Sequence, residues 1–227
     1  MTTVDEPRIA SRDEWLHERV QLLAREKDLS RSRDELARAR RALPWVRVEQ
    51  DYRFDTVDGE RSLSELFDRC SQLVVYHFMF GPDWDQGCPS CSFWADNYNG
   101  TTVHLAHRDA TLIAVSRAPL DTLQTYRNRM GWTFNWVSSL GSTFNQDYGV
   151  TQAATYNYTP VDHPAEEAPG LSAFVRHHGE VFHTYSCYAR GLDVFNTAYQ
   201  ILDITAKGRD EDALPWTMAW LHRHDQY

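Results

Sequence analysis

The stretch "QLVVYHFMFGPDWDQGCPSCSFWAD", residues 72 to 96, decides how the rest of the chain is read. Its first nine residues form a nearly unbroken apolar run, rich in β-branched and aromatic side chains, as in a strand covered on both faces. A polar loop follows, and then Cys88, Pro89 and Cys91 stand where a helix would open. Downstream, "ATLIAVSRA" (110 to 118) reads as a second buried strand, and "PLDTLQTYRNRM" (119 to 130) as an amphipathic helix opened by proline. Strand, helix, strand, helix at this spacing is a βαβ unit.

Further on, "LSAFVR" and "EVFHTYS", joined at His178-Gly179, predict an antiparallel hairpin. "LDVFNTAYQIL" (192 to 202) predicts a helix capped by Asp193, with Val194, Ala198 and Ile201 on one side. Upstream, Val46 and Val48, then Tyr52 and Phe54, suggest short strands, with a turn at Asp58-Gly59. Ser62 is placed to cap a helix in which Leu63, Leu66, Phe67 and Cys70 share a buried stripe, so Cys70 reads as core. Residues 1 to 43 are charge-dense, and Trp15, Leu16, Leu22, Leu23, Leu29, Leu36 and Leu43 recur at helical spacing. That arm is expected to cover the domain or to pair with a second chain as a homodimer.

A chain of 227 residues, 42% of them hydrophobic, fits one domain with appendages: an arm over 1–43, a domain over 44–205 and a tail over 206–227 packing on it. The net charge of −9 argues against a nucleic-acid groove or an anionic membrane surface as partner. The arm itself is nearly neutral, with 10 Lys and Arg against 9 Asp and Glu, so its "RARR" (38 to 41) reads as a solvated helical face. No window approaches eighteen apolar residues and the start lacks the apolar core of a signal peptide, which leads to the expectation of a cytoplasmic protein. Four cysteines are too few for a disulfide scaffold, and a Cys-x-x-Cys in a reducing compartment points to redox chemistry or metal.

A thiolate at a helix N-terminus is stabilised by free N–H groups and by the positive end of the helix dipole. Cys88 would occupy that place as the attacking thiol. Pro89 suits the first turn, and Cys91, one turn on, lies within disulfide reach as the resolving thiol. The matching substrate is a thiol- or disulfide-bearing protein or small molecule, and the exchange needs no cofactor. Trp84, Phe93, Trp94 and Tyr98 flank the pair, either lining an apolar cleft or forming the buried face of the helix. His77, inside the first strand, reads as a hydrogen-bonded core histidine. Strict alternation would put His183, Tyr185 and Cys187 on one strand face, read as a strand end rather than a site.

A buried strand, a Cys-x-x-Cys opening a helix, a βα unit and a closing hairpin resemble the thioredoxin fold, an α/β architecture with a central mixed sheet flanked by helices. More closely, "LPWVRVEQDYRF", "VVYHFMFGPDWDQGCPSCSFWAD", "RMGWTFNWVSS", "HTYSCYARGLD" and "KGRDEDALPWTMAWLHRHDQY" resemble the DUF899 family of thioredoxin-like proteins, over about residue 8 to the end. That resemblance implies a dithiol–disulfide oxidoreductase. It also implies a proline packed near the pair ahead of the hairpin, often after a cis bond, and Pro169 is the match. The order of elements is similar to that of peroxiredoxins, but where those keep a threonine three residues before the reactive cysteine this chain has Asp85, an acid that opposes a thiolate. Finally, "VDH" at 161 to 163 resembles a segment of Sco-type copper proteins, which implies an alternative site for copper or zinc on Cys88, Cys91 and His163.

Overall fold

The computed structural model describes residues 7–227, which divide into two compact units, Met1–Pro44 and Trp45–Tyr227. In the first, helix α1 (Arg12–Arg41) starts at a capping box: the Glu14 N–H donates to Ser11 Oγ at 3.3 Å, and the Ser11 N–H donates to Glu14 Oε2 at 2.8 Å. Asp13 and Glu14 occupy its first turn and Arg38, Arg40 and Arg41 its last, so the basic run complements the helix dipole. The first six residues of the expected arm lie outside the described residues.

The second unit runs β1 (Val46–Arg47), β2 (Arg53–Thr56), β3 (Gly59–Ser62), a 3-10 turn (Glu65–Phe67), β4 (Gln72–His77), α2 (Pro89–Ala95) and α3 (Thr102–Ala106). It continues through β5 (Ala110–Ser116), α4 (Leu120–Arg129), β6 (Asn135–Ser138), α5 (Phe144–Asp147), β7 (Thr155–Tyr156) and β8 (Thr159–Pro160). It closes with β9 (Gly170–His177), β10 (Glu180–Tyr188), a second 3-10 stretch (Ala189–Phe195) and α6 (Thr197–Leu202). Eight strands form one sheet in the order β1-β10-β9-β4-β5-β6-β2-β3. Strands β4, β5 and β6 are mutually parallel, whereas β9 runs antiparallel to β4 and β10 to β9. This mixed sheet, with helices following β4, β5 and β10, is a thioredoxin-like fold.

Side chains alternate across β4 and divide the interior in two. Tyr76 and Phe78 join the cluster under α2 and α4, with Cys91, Trp94, Tyr126 and Cys187, while Leu73 and Val75 join Phe54, Phe67, Val115, Phe144 and Phe174 on the other face. The β9–β10 hairpin turns at His178-Gly179, both at positive φ. Between His183 and Tyr185 the register slips by one residue, a β-bulge that leaves Thr184 unpaired. His183 therefore faces Phe174 and Tyr148, and the expected alignment of His183 with Tyr185 and Cys187 is broken.

Two predicted helices differ from expectation. After Ser62 there is one 3-10 turn, because Asp68 at φ 53 reverses the chain into β4. The N-cap of this turn is Ser64, not Ser62, whose N–H and hydroxyl instead each donate to Glu65 Oε2 at 2.7 Å, and Leu63, Leu66, Phe67 and Cys70 are all buried. Over 192–202, the 3-10 stretch ends at Asn196, whose extended backbone resets the helical phase. Asn196, not Asp193, caps α6 by accepting from the Tyr199 N–H at 3.0 Å, so Leu192 and Tyr199 are buried while Val194 and Ile201 are exposed. The tail belongs to this unit: buried Glu211 Oε1 accepts from the Tyr199 hydroxyl (2.8 Å), the Met218 N–H (3.1 Å) and the Trp220 indole (2.7 Å). No disulfide joins any of Cys70, Cys88, Cys91 and Cys187.

Candidate active site

The site begins where the sheet lets go of β4. His77 pairs with Gly170, the first residue of β9, and the next partner in register would be Pro169, which has no N–H to donate. The ladder stops there. Gly170 is required, since a Cβ at that position would lie 2.8 Å from the Tyr188 ring. Met79 is thereby left outside the sheet, and both its backbone groups turn to the cysteines: its N–H points at Cys91 Sγ (3.5 Å) and its carbonyl accepts from the Cys88 N–H (3.2 Å).

Cys88 is the N-cap of α2, with extended backbone (φ −57°, ψ 131°), and Pro89 fills the first helical position. The Cys88 carbonyl accepts from both the N–H (3.0 Å) and the hydroxyl (2.9 Å) of Ser92. Gly87 precedes it because a Cβ there would come within 2.7 Å of the Phe78 ring. The two sulfurs have opposite surroundings. Cys88 is half-buried, and its pKa is brought down to about 6, first by the Cys91 S–H donating to its thiolate and then by the Cys91 and Ser90 N–H groups and the Ser90 side chain, against the effect of burial. Cys91 is 2% exposed, and burial, followed by its hydrogen bond and charge interaction with Cys88, pushes its thiol well above the usual range.

A second layer holds the Cys88 carbonyl in place. The Tyr126 hydroxyl, 2.9 Å from Ser92 Oγ, accepts in turn from Arg223 Nε at 2.8 Å, and Arg223 also donates to the Gly87 carbonyl through Nη2 at 2.6 Å. The tail is thus tied to the residue before the reactive cysteine. On the interior side the Tyr76 hydroxyl donates to the Cys91 carbonyl at 3.3 Å.

Of the residues singled out in the sequence, Cys88, Cys91, Trp94 and Pro169 come together: Cys91, Trp94 and Pro169 line one cavity. Trp94 is buried with its indole N–H on the Leu192 carbonyl (2.9 Å) and Phe93 packs edge-on against it on α2, while Tyr98, just beyond the helix, is buried against Tyr76, so Trp94 serves both the core and the cavity wall. Trp84 packs at the margin of the same cluster. Asp85 is exposed and makes none of the hydrogen bonds that hold the pair. No cis peptide bond occurs among the described residues, so the bond before Pro169 is trans, the isomer X–Pro favours when no turn demands otherwise.

His163 does not join the cysteines. It is exposed and lines a different cavity with Tyr156 and Glu167, and among the described residues no three His, Cys, Asp or Glu side chains are placed to hold one metal ion. The residues do not fit the copper or zinc site. The loop from Val161 carries the imidazole toward Glu167, whereas a metal centre needs its ligands converging on one point. Tyr76, Ser92, Tyr126 and Arg223 were not singled out beforehand. Alternation along β4 would have found Tyr76, since it places that side chain opposite His77.

The family model for bacterial proteins of unknown function, DUF899, matches residues 4–227. The chain belongs to DUF899. Among solved structures, it is similar to peroxiredoxin Q of Xanthomonas campestris (13% identity, TM-score 0.46, covering 71% of this chain and 98% of that one). It is also similar to peroxidoxin BcpB of Mycobacterium tuberculosis (14%, TM-score 0.45, 70% and 96%). No functionally curated protein matches this DUF899 chain. No helix among its described residues is long and apolar enough to cross a membrane.

Proposed function

We propose that this protein is a thiol–disulfide oxidoreductase with Cys88 as nucleophile and Cys91 as resolving thiol. The observation that carries the reading is the asymmetry of the pair: a half-buried sulfur whose pKa is lowered to about 6, next to a buried one that is held protonated. At neutral pH the first is largely thiolate, and the second stores the proton that the reaction later releases.

The Cys88 thiolate attacks one sulfur of a substrate disulfide RS–SR′, forming a Cys88–SR mixed disulfide and expelling R′S⁻, which takes a proton from water. The charge on Cys88 is then gone, and with it one of the causes that keep the Cys91 thiol protonated. Cys91 attacks Cys88 Sγ, its proton leaves with RS⁻ as RSH, and the Cys88–Cys91 disulfide forms. Two thiols have been oxidised and one substrate disulfide reduced. A dithiol donor restores the pair. Ser92, Tyr126 and Arg223 hold the Cys88 backbone while its side chain changes partner.

The test is alkylation against pH. One thiol should react with iodoacetamide with a midpoint near pH 6, and Cys88→Ser should remove that phase, whereas Cys91→Ser should accumulate a mixed disulfide with a disulfide substrate. A fast phase that survives Cys88→Ser but disappears in Cys91→Ser would invert the roles, and the absence of any thiol titrating below pH 8 would remove the basis of the reading.

A further inference from the structure

A cavity of about 260 Å³ opens beside Ser90 and Cys91, walled by Tyr76, Met79, Trp94, Pro169, Leu192 and Met218. Five parts of the fold meet in it: the end of β4, helix α2, the residue before β9, the 3-10 stretch after β10, and the tail at Met218. Its walls have little polar capacity to spare. The Trp94 indole N–H is committed to the Leu192 carbonyl (2.9 Å) and the Tyr76 hydroxyl to the Cys91 carbonyl (3.3 Å). Such a lining favours an apolar occupant. A cavity of ~150 Å³ accepts benzene, so this one has room for a single aromatic ring and a few further atoms.

The mouth is different. Arg190 and Asp193 lie on the lining, and Asp193 Oδ2 is shared by Arg190 and Arg209, each at 3.0 Å. Arg209 is also engaged by Asp203, at 2.8 Å. Arg190, its side chain 84% exposed, has only the shared oxygen as an ion-pair partner among the described residues and keeps most of its donor fork available. An apolar chamber with an available guanidinium at its rim fits a compact apolar group carrying a carboxylate.

Met218, on the cavity wall, is held in place through its N–H on Glu211, and Arg223 is fastened to Gly87 beside the half-buried Cys88. This enclosure by the tail favours a small molecule over a folded protein. Resting on the exchange reading above, we propose that the substrate is a low-molecular-weight disulfide with an aromatic or similarly compact apolar group, seated in this cavity, and a carboxylate that pairs with Arg190. The bonds made and broken are those already described for RS–SR′, and a dithiol such as dithiothreitol serves as donor in the assay.

The test uses 4,4′-dithiodibenzoate, its neutral diamide and bis(2-hydroxyethyl) disulfide, each rate normalised to the compound's reaction with free dithiothreitol. Dithiodibenzoate should be preferred over the hydroxyethyl compound by about tenfold or more in kcat/KM. Met218→Trp, which fills the cavity, should lower the dithiodibenzoate rate far more than the hydroxyethyl rate and so abolish that preference. Arg190→Ala should raise KM for dithiodibenzoate about fivefold and leave the diamide unaffected. A binding measurement separates this proposal from the exchange reading. 4-(Methylthio)benzoate, which cannot exchange, should bind the full-length Cys88→Ser protein by calorimetry, and Met218→Trp should remove the binding. Met218→Ala, which enlarges the cavity, should extend binding to the naphthoate analogue. Failure of all exchange with calorimetric binding intact would leave the site standing and overturn the chemistry. Equal losses on all three disulfides in Met218→Trp, no calorimetric signal, or faster reduction of a protein disulfide such as insulin's with no effect of Met218→Trp would each overturn the site.

Discussion

Strand β4 sends Tyr76 toward the cysteine pair on one side of the sheet and His77 into a sealed cluster on the other. His77 is 1% exposed, its ring packs against those of Phe144 (5.5 Å) and Tyr148 (6.0 Å), and Nε2 pairs with Ser172 Oγ at 2.8 Å. The chain continues from Ser172 to Ser186 (2.7 Å) and from Ser186 to His183 Nε2 (2.7 Å). Burial, then the neighbouring His183, brings the His77 pKa down to about 3. Cys88 is also partly withdrawn from water, yet its charged form is favoured. The difference lies in what converges on each group. A single hydroxyl on one ring nitrogen of His77, with Nδ1 buried and unpaired, leaves a cation unsupported, whereas one S–H and two backbone N–H groups aimed at a single sulfur suit an anion. Burial silences one titratable group and, combined with donors, arms the other.

The largest effect that would break this contrast is expected from Cys88→Ser, which should reduce disulfide turnover to the uncatalysed background while the protein still unfolds cooperatively in urea. Next, His77→Ala should cost about 3 kcal/mol in urea unfolding, from the cavity left and from the unpaired Ser172 hydroxyl, with the Cys88 alkylation midpoint unmoved. Loss of the fast thiol in a still-folded His77→Ala protein would mean that the two faces are coupled.

The pH dependence of stability sharpens the comparison, because the two groups act in adjacent windows. An unfolded histidine titrates at about 6.5 and native His77 at about 3, so the unfolded state binds more protons between those values. Stability falls as pH drops below about 6.5. An unfolded cysteine titrates at about 8.5 and native Cys88 at about 6, so its contribution is fully present above the first value and lost as pH falls through the second. Cys88→Ser should flatten the stability curve of the reduced protein between pH 6 and 8.5, and His77→Phe should flatten only the limb below 6.5. The smallest effect is expected from Arg223→Ala. It removes the donors to Gly87 and Tyr126 and should cost about 1 kcal/mol, visible in the urea midpoint, without shifting the Cys88 alkylation midpoint.

The sheet and the cysteine pair were readable from residues 72 to 96 because an unbroken apolar run, proline at the first helical position and the Cys-x-x-Cys spacing are local signals. His77 and Cys70 were also legible as core, each from its place in an apolar pattern. What escaped depends on where distant segments meet. Arg223 reaches Gly87 across 136 residues, and nothing in "LHRHDQY" announces it. Asp193 and Asn196 are both good helix caps, and only the 3-10 stretch between them decides which one serves. The Sco-like histidine failed for the same reason, since a short segment fixes a residue type but not the wall it faces.

The bulge at Thr184 acts as a ratchet on chain length. With one extra residue inserted in β10, Ser186 faces the histidines and Cys187 faces the cluster that holds Cys91. Taking Thr184 into the ladder as an ordinary paired residue would exchange those two destinations, putting a thiol against His77 and a hydroxyl among the aromatics. Between Tyr185 and Tyr188 a one-residue insertion should therefore be tolerated far worse than removal of Thr184, in a hairpin whose turn at His178-Gly179, a few residues away, is exposed and free to vary in length.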